Sequence, residues 1–265
     1  MFVVKIGGSL ITNKDAYCSP DKVKIKEFAK LIKENWSILK GNLILVLGGG
    51  SYGNGVPIRY NIANSQQEWD EKNLLMMTTK MFEWMNEVCQ IFREEGIPCY
   101  PFQTSSYCTT NKGNLNTCNI EPIKHCLNLG ILPITSGDLT FDDNKKFVIY
   151  SSDNVPEMFI KRLNVKKVVI LTDVEGIYED LKTKKLIKEV TPQNYSDILN
   201  MAGNSQKQDV TGGMHNKLKA LLRISQEGAT SIICNGKDTQ NLFRALYDDT
   251  PPGTVIKKWN MVEED

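Results

Sequence analysis

Leu45-Val46-Leu47-Gly48-Gly49-Gly50-Ser51-Tyr52-Gly53-Asn54 runs an apolar, strand-like stretch straight into four glycines within six residues. Glycine has no Cβ and tolerates positive φ, so such a loop suits a place where backbone must approach a ligand and aim N–H groups at it. A glycine-rich turn without a ligand reads the same way in isolation. Two further stretches repeat the arrangement. Val3-Val4-Lys5-Ile6-Gly7-Gly8-Ser9-Leu10 places it near the start of the chain, and Asp209-Val210-Thr211-Gly212-Gly213-Met214-His215-Asn216-Lys217 adds a third glycine turn followed by a lysine.

Outward from the loop, the chain alternates β-rich runs with helical patterns. Strands are predicted at Phe2 to Ile6, Leu43 to Leu47, Cys99 to Phe102, Ile131 to Ile134, Lys167 to Thr172, Thr230 to Cys234 and Gly253 to Lys257. Helical spacing of apolar residues predicts helices at Pro20 to Trp36, Glu68 to Glu95, Pro122 to Leu129, Val155 to Leu163, Asn194 to Met201, Gly213 to Gln226 and Thr239 to Tyr247. Gly96 and Pro98 fit the end of the long second helix, Pro20 fits a first turn, and Ser152 or Asp153 fits an N-cap. The Leu74, Met77, Met81, Trp84, Met85, Val88 and Phe92 stripe reads as core or dimer packing, with its N-terminal part as a candidate wall of an acceptor pocket. Tyr107 to Asn119 and Leu139 to Tyr150 read as hairpins. Strands separated by helices imply a mostly parallel sheet covered on both faces, with ligands beyond the carboxyl ends of the strands, where nearly all the glycine turns fall.

Composition bounds the partners. The 265 residues are 41% hydrophobic and 24% charged with a formal net charge of +1, an ordinary globular balance that gives no reason to expect nucleic acid or an anionic membrane surface. No apolar run approaches a membrane span, and no charged segment followed by an apolar one marks a signal peptide. The seven cysteines are scattered without a C-x-x-C pair and only two histidines accompany them, so reduced cytoplasmic thiols are expected and no metal-ligand set is read.

Several nests of backbone amides at strand ends suit phosphate-bearing ligands. Lys5, Lys14 and Lys217 stand in or beside these turns, and Asp138, Asp153 and Asp173 stand at other strand ends. Lysine serves phosphoryl transfer as a compact charge on phosphate oxygens. The G-x-x-x-x-G-K-[ST] loop, the H-R-D and D-F-G set and the G-x-G-x-x-G fingerprint are all missing, which excludes a P-loop or protein kinase and disfavours a nicotinamide enzyme.

Lys5-Ile6-Gly7-Gly8-Ser9 with Lys14, the triple-glycine loop, Ser136-Gly137-Asp138, Ser152-Asp153, Thr172-Asp173-Val174-Glu175-Gly176-Ile177 and Asp209 to Met214 with Lys217 follow the order found in the amino acid kinase superfamily. The chain resembles its isopentenyl phosphate kinase and fosfomycin kinase branch over essentially its whole length. The resemblance implies a three-layer α/β sandwich in two lobes, residues 1–165 holding a phosphoryl acceptor and residues 166–265 holding Mg-ATP. It implies Lys5 and Lys217 flanking the transferred phosphoryl group, Asp153 holding both lysines, and Lys14 on phosphate oxygens. Gly7, Gly8, Ser9, Thr172, Asp173, Gly176, Gly212 and Gly213 are then nucleotide contacts. Gly8, Gly49, Gly50, Asn54, Gly137, Asp138 and Ser152 are acceptor contacts. In that branch the glycine loop ends in a histidine that bonds the acceptor's phosphorus group, and Asn54 fills that place here, a neutral donor that is never cationic. The implied activity is an ATP-dependent kinase acting on a small phosphate or phosphonate monoester, as a cytoplasmic homodimer. The alternatives are another small acceptor, carboxylate or alcohol, or a nucleotide-binding protein without turnover.

Overall fold

The computed structural model describes residues 1–60, 62, 71–180, 183–203 and 213–259. In chain order the strands are β1 (Phe2–Ile6), β2 (Leu43–Leu47), β3 (Cys99–Phe102), β4 (Cys108–Asn111), β5 (Asn114–Cys118), β6 (Leu132–Ser136), β7 (Asp138–Asp142), β8 (Lys146–Tyr150), β9 (Lys167–Thr172), β10 (Tyr178–Asp180), β11 (Lys185–Leu186), β12 (Glu189–Val190), β13 (Thr230–Asn235) and β14 (Thr254–Ile256). The helices are α1 (Gly8–Ile11), α2 (Lys22–Glu34), α3 (Trp36–Leu39), α4 (Gly50–Gly53), α5 (Gly55–Arg59), α6 (Glu71–Glu94), α7 (Glu121–Asn128), α8 (Tyr195–Gly203), α9 (Gly213–Gln226) and α10 (Asn241–Tyr247).

One eight-stranded sheet runs β12-β14-β13-β9-β1-β2-β6-β3. Its neighbours pair in parallel except β13 and β14. Parallel strands covered on both faces need apolar residues on both, and β2 is buried at all five positions. Val4, Leu45 and Val169 face a core completed by α2, α6 and α10, whereas Val3, Ile44 and Val168 face one completed by α7, α8 and α9. The result is a three-layer α/β sandwich.

Local chemistry sets the helix ends. The Asp21 side chain accepts from Lys24 N at 3.0 Å to cap α2. After α6 the chain turns at Gly96, whose φ of +80° only glycine adopts cheaply. Lys167 Nζ donates to the carbonyls of Ala245 and Leu246 at 3.2 and 2.7 Å, which places a cation at the negative end of α10.

Several expectations need amendment. Of the two readings of the Met-rich stripe of α6, core packing holds, since its side chains are buried within the chain; the large apolar side chains that α6 leaves exposed among the described residues are Leu75 and Phe82. Gly8 to Ile11 and Gly50 to Gly53 form single helical turns where open loop was expected. The Tyr107 to Asn119 and Leu139 to Tyr150 hairpins join as a separate sheet, β5-β4-β7-β8. The run after Asn154 is a 3₁₀ turn, Val155–Phe159, and neither Ser152 nor Asp153 caps it. Positions 68–70, where the long helix was expected to begin, lie outside the described residues.

Candidate active site

β1, β2, β6 and β9 are parallel neighbours, so their carboxyl ends and the turns that follow open on one edge. β1 sits between β2 and β9, where the chain winds outward in opposite directions, the place at which open α/β sheets leave a crevice. The glycine turns interlock there. A Cβ on Gly48 would stand 2.2 Å from Gly8 N, and one on Gly8 would stand 2.1 Å from Gly50 N. Thr12 Oγ1 donates to Gly8 O at 2.8 Å and accepts from Ser51 N at 2.9 Å, tying the two turns. Tyr52 anchors the second turn from behind, stacked on Trp84 at 4.9 Å and donating to Glu87 at 3.1 Å. Glycine therefore serves packing as well as ligand approach. Among the described residues no hydrogen bond within the turns engages the amides of Gly8, Ser9, Gly49 and Gly50, so they remain as donors at two helix N-termini.

The cleft beneath these turns has a volume of about 390 Å³. At its floor Lys5 and Lys217 both donate to Oδ1 of Asp153, Lys217 at 2.8 Å. Lys5 comes from the central strand, Asp153 from the turn after β8, and Lys217 from the start of α9. Residues 148 and 64 positions apart in sequence thus share one oxygen. Burial by itself would raise the Asp153 carboxyl, but the charges of Lys217 and Lys5 outweigh it and hold the group well below the usual carboxylate range. Burial pushes Lys5 down to about 8, opposed by the charge of Asp153 and reinforced by the ammonium of Lys217. Asp153 is an anion spent on two cations, so it is a poor proton acceptor.

At the mouth, Lys14 Nζ donates to Asp173 Oδ2 at 2.9 Å. Burial works to raise the Asp173 carboxyl, and the hydrogen bond and charge of Lys14 bring it below its ordinary value. Asp138 is buried, accepting from Ser105 N at 3.1 Å and Leu139 N at 2.8 Å. Burial nonetheless raises its carboxyl, against those hydrogen bonds.

Gly7, Gly8, Ser9, Thr172 and Asp173 line the cleft, as do Gly49, Gly50, Asn54, Gly137, Asp138 and Ser152. Asn54 joins α4 to α5 without a side-chain cap hydrogen bond, so helix capping does not account for it. Gly176 is not among the lining residues; a Cβ there would meet Thr254 Oγ1 at 2.6 Å, a packing reason for glycine. Gly213 opens α9, while Gly212 lies outside the described residues. His215 is half-buried with Nδ1 3.2 Å from Leu199 O. Residue chemistry alone did not mark Ile149, Tyr150, Leu171, Val174 and Met214 as lining residues. Met77 and Met81 do line the cleft, as the N-terminal part of the stripe allowed, and Ile149, which packs against their cluster, adds to this apolar part of the wall.

A model of the amino acid kinase family matches residues 1–235. Isopentenyl phosphate kinase of Methanothermobacter thermautotrophicus is 28% identical over 264 residues, covering 97% of this chain and 98% of that protein. Acetylglutamate kinase of Clostridioides difficile is 26% identical over 278 residues, covering 97% and 91%. A solved isopentenyl phosphate kinase aligns with a TM-score of 0.81 at 26% identity, covering 97% of this chain and 100% of that one. The Thermoplasma acidophilum isopentenyl phosphate kinase product complex aligns at 0.76 with 21% identity, a likeness of fold alone. With every turn around the cleft inside the matched span, the chain belongs to the amino acid kinase family.

Proposed function

We propose that the protein is an ATP-dependent kinase that transfers the γ-phosphoryl group to a small phosphate monoester with an apolar body. The observation that carries this reading is the Lys5–Asp153–Lys217 constellation at the floor of a glycine-walled cleft. One buried and one half-buried ammonium on a single carboxylate place positive charge where a transferring phosphoryl group needs it. Residues 166–265 supply the nucleotide side, where Thr172, Asp173 and the N-terminal turn of α9 take the polyphosphate. Residues 1–165 supply the acceptor side, where Gly49, Gly50 and Asn54 meet the acceptor's anion, Met77, Met81 and Ile149 meet its hydrocarbon, and Gly137, Asp138 and Ser152 close the wall. Lys14 exchanges Asp173 for phosphate oxygens, and Gly7, Gly8 and Ser9 donate amides between the two ligands.

The chemistry of the donors fits magnesium carried on the nucleotide's phosphates. Asp153 and Asp173 are already paired with lysines, and no group of three or more His, Cys, Asp or Glu among the described residues could cage an ion. Bound there, magnesium supplies neutralisation of phosphate charge.

The state of Asp153 bears on the acceptor. An alcohol must lose a proton during attack, whereas an ionised phosphate oxygen attacks γ-phosphorus directly: its new P–O bond forms as the β–γ bridge breaks, giving ADP and a diphosphate ester with no proton to place. A carboxylate pinned by two lysines serves the second case and not the first. The apolar side chains Met77, Met81 and Ile149 in the cleft wall favour an acceptor with a hydrocarbon body over the more polar acetylglutamate named for the Clostridioides difficile relative. Exposed Leu75 and Phe82, two turns apart on α6, support a homodimer, and seven free thiols support a reducing cytoplasmic setting.

The experiment is a panel of isopentenyl phosphate, fosfomycin, N-acetylglutamate, glutamate and isopentenol with Mg-ATP, read as ADP release. Turnover is expected with the phosphate monoester. Turnover confined to carboxylates or to the alcohol, or ATP binding without turnover on any acceptor, overturns the reading.

A further inference from the structure

Beside the two-lysine centre, a second polar tie joins the same two elements. Arg223 Nε donates to Glu157 Oε2 at 2.7 Å, and its Nη2 donates to Asn154 Oδ1 at 2.8 Å. Asn154 directly follows Asp153, and Glu157 lies one turn further along the 3₁₀ segment. Arg223 lies six residues beyond Lys217 on α9, about 9 Å along the helix axis. The turn that presents the two acceptors is held by its own backbone, Asn154 N donating to Ser151 O at 3.0 Å and Glu157 N to Asn154 O at 3.2 Å.

We propose that Arg223 is a positioning residue for Lys217, its guanidinium fork locking α9 to the Asn154–Glu157 turn so that the ammonium stays on Asp153. This rests on the kinase reading given above. Leu218, Leu221 and Ile224 bury α9 on the sheet, but apolar contact is non-directional and leaves small slides and rotations cheap. A single ion pair at Asp153 would act as a pivot. Two attachments, one at each end of a 9 Å span, fix the helix in rotation as well as in place. The tie through Arg223 does not touch the cleft, so it persists when Lys217 turns its charge from Asp153 toward an incoming phosphate. Lysine cannot reproduce it, because one ammonium lacks the planar fork that reaches two acceptors at fixed geometry.

Arg223→Lys tests this with two independent readouts. In steady-state kinetics kcat should fall at least tenfold with the ATP KM within about twofold, and adding Lys217→Ala should bring little further loss beyond Lys217→Ala alone. Additive losses would overturn the proposal, since they would mean that Arg223 acts on something other than Lys217. The second readout needs no turnover: the Lys5 titration, followed through lysine ¹³Cε resonances and assigned with Lys5→Arg. The groups facing Lys5 are Asp153 and Lys217. If Lys217 drifts from Asp153, Lys5 loses a repelling cation and gains a larger share of the anion, so its midpoint should rise from about 8 toward 10.5. An unchanged midpoint overturns the proposal, and a wild-type protein without turnover fails the kinase reading while leaving this measurement decisive. Glu157→Gln, which keeps an acceptor oxygen and removes the charge, should give a smaller shift in the same direction, and it carries the test if Arg223→Lys does not fold.

Discussion

Lys5, Lys217 and Asp153 meet at one carboxylate oxygen, and in the proposed reaction they are the residues that bear on the transferring phosphoryl group. Lys5→Ala and Lys217→Ala should each lower kcat by about 10²-fold or more while changing the ATP KM far less, because their charge counts most against charge developing in transfer. Near-normal turnover in either variant would remove that residue from the mechanism. The pH profile follows from Lys5, whose protonated form is the useful one. Its proton is held to about 8 in the ligand-free site, so kcat/KM for ATP should fall as pH rises through about 8. Bound polyphosphate raises the Lys5 midpoint, so kcat should hold to higher pH; a kcat/KM flat to pH 10 would contradict this. Asn54, which lines the cleft, carries the proposed contact to the acceptor's anion at the same scale. Asn54→Ala should weaken acceptor use about 10- to 100-fold at constant ATP affinity, matching roughly 1.5–3 kcal/mol for a hydrogen bond to a charged group. Loss of thermal stability with unchanged acceptor kinetics would return Asn54 to a structural role. Lys5 and Lys217 were legible because charge beside glycine turns has few structural explanations, whereas Asp153 follows Ser151-Ser152 with no glycine beside it and its place with the lysines came from the resemblance alone. Met77 and Met81 could be read only as core or pocket wall, and Ile149 not as a wall at all, since an apolar side chain serves a core and a hydrocarbon pocket equally well.

At the scale of elements, the glycine turns after β1 and β2 act as one interlocked unit. Gly48→Ala would drive a Cβ to within 2.2 Å of Gly8 N, and backbone cannot rotate away as a side chain can. The expected cost is about 1–3 kcal/mol, seen as a lower Tm, with weakened binding of both ligands because both turns move. Gly53→Ala is the control from the same loop, since a Cβ there meets nothing within 4 Å. Its Tm should stay close to wild type, and equal losses in the two variants would disprove the interlock. Long elements were legible where period and chemistry agreed: β2 and β9 by their apolar runs, and α2 by spacing, although Pro20, expected in its first turn, instead bridges to Thr12 ahead of the Asp21 cap. The single turns α1 and α4 were not, because four residues rich in glycine and serine carry no helical period. Nor were β10, β11 and β12, two or three residues each, whose pairing depends on partners distant in sequence. The N-cap expectation at Ser152 or Asp153 failed for a related reason: the Asp153 carboxylate is claimed by lysines 148 and 64 residues away, and no local pattern announces them.

For the whole molecule, the question is whether the two halves proposed for acceptor and nucleotide are two folding units. Strands before residue 165 build one side of the central sheet and strands after it build most of the other, yet β1 pairs with β9 over five residues and β9 with β13 over six, so the ladder is unbroken across the cleft. The lysine centre crosses the same seam, joining β1 and the turn after β8 to α9. A sheet continuous through its middle gives neither half a free edge on which to melt alone. Scanning calorimetry should therefore show a single unfolding transition. Mg-ATP at about 100 times its Kd should move that whole transition upward, by the equivalent of about 2.7 kcal/mol for a ligand bound only by the folded state. Occupancy of the nucleotide side alone would then protect the acceptor side, measurable as slowed amide exchange in β2 and β6. Two resolved transitions with only one shifted by nucleotide, or exchange slowed only from β9 onward, would mean that the halves are separate cooperative units, and that the shared sheet transmits position without transmitting stability.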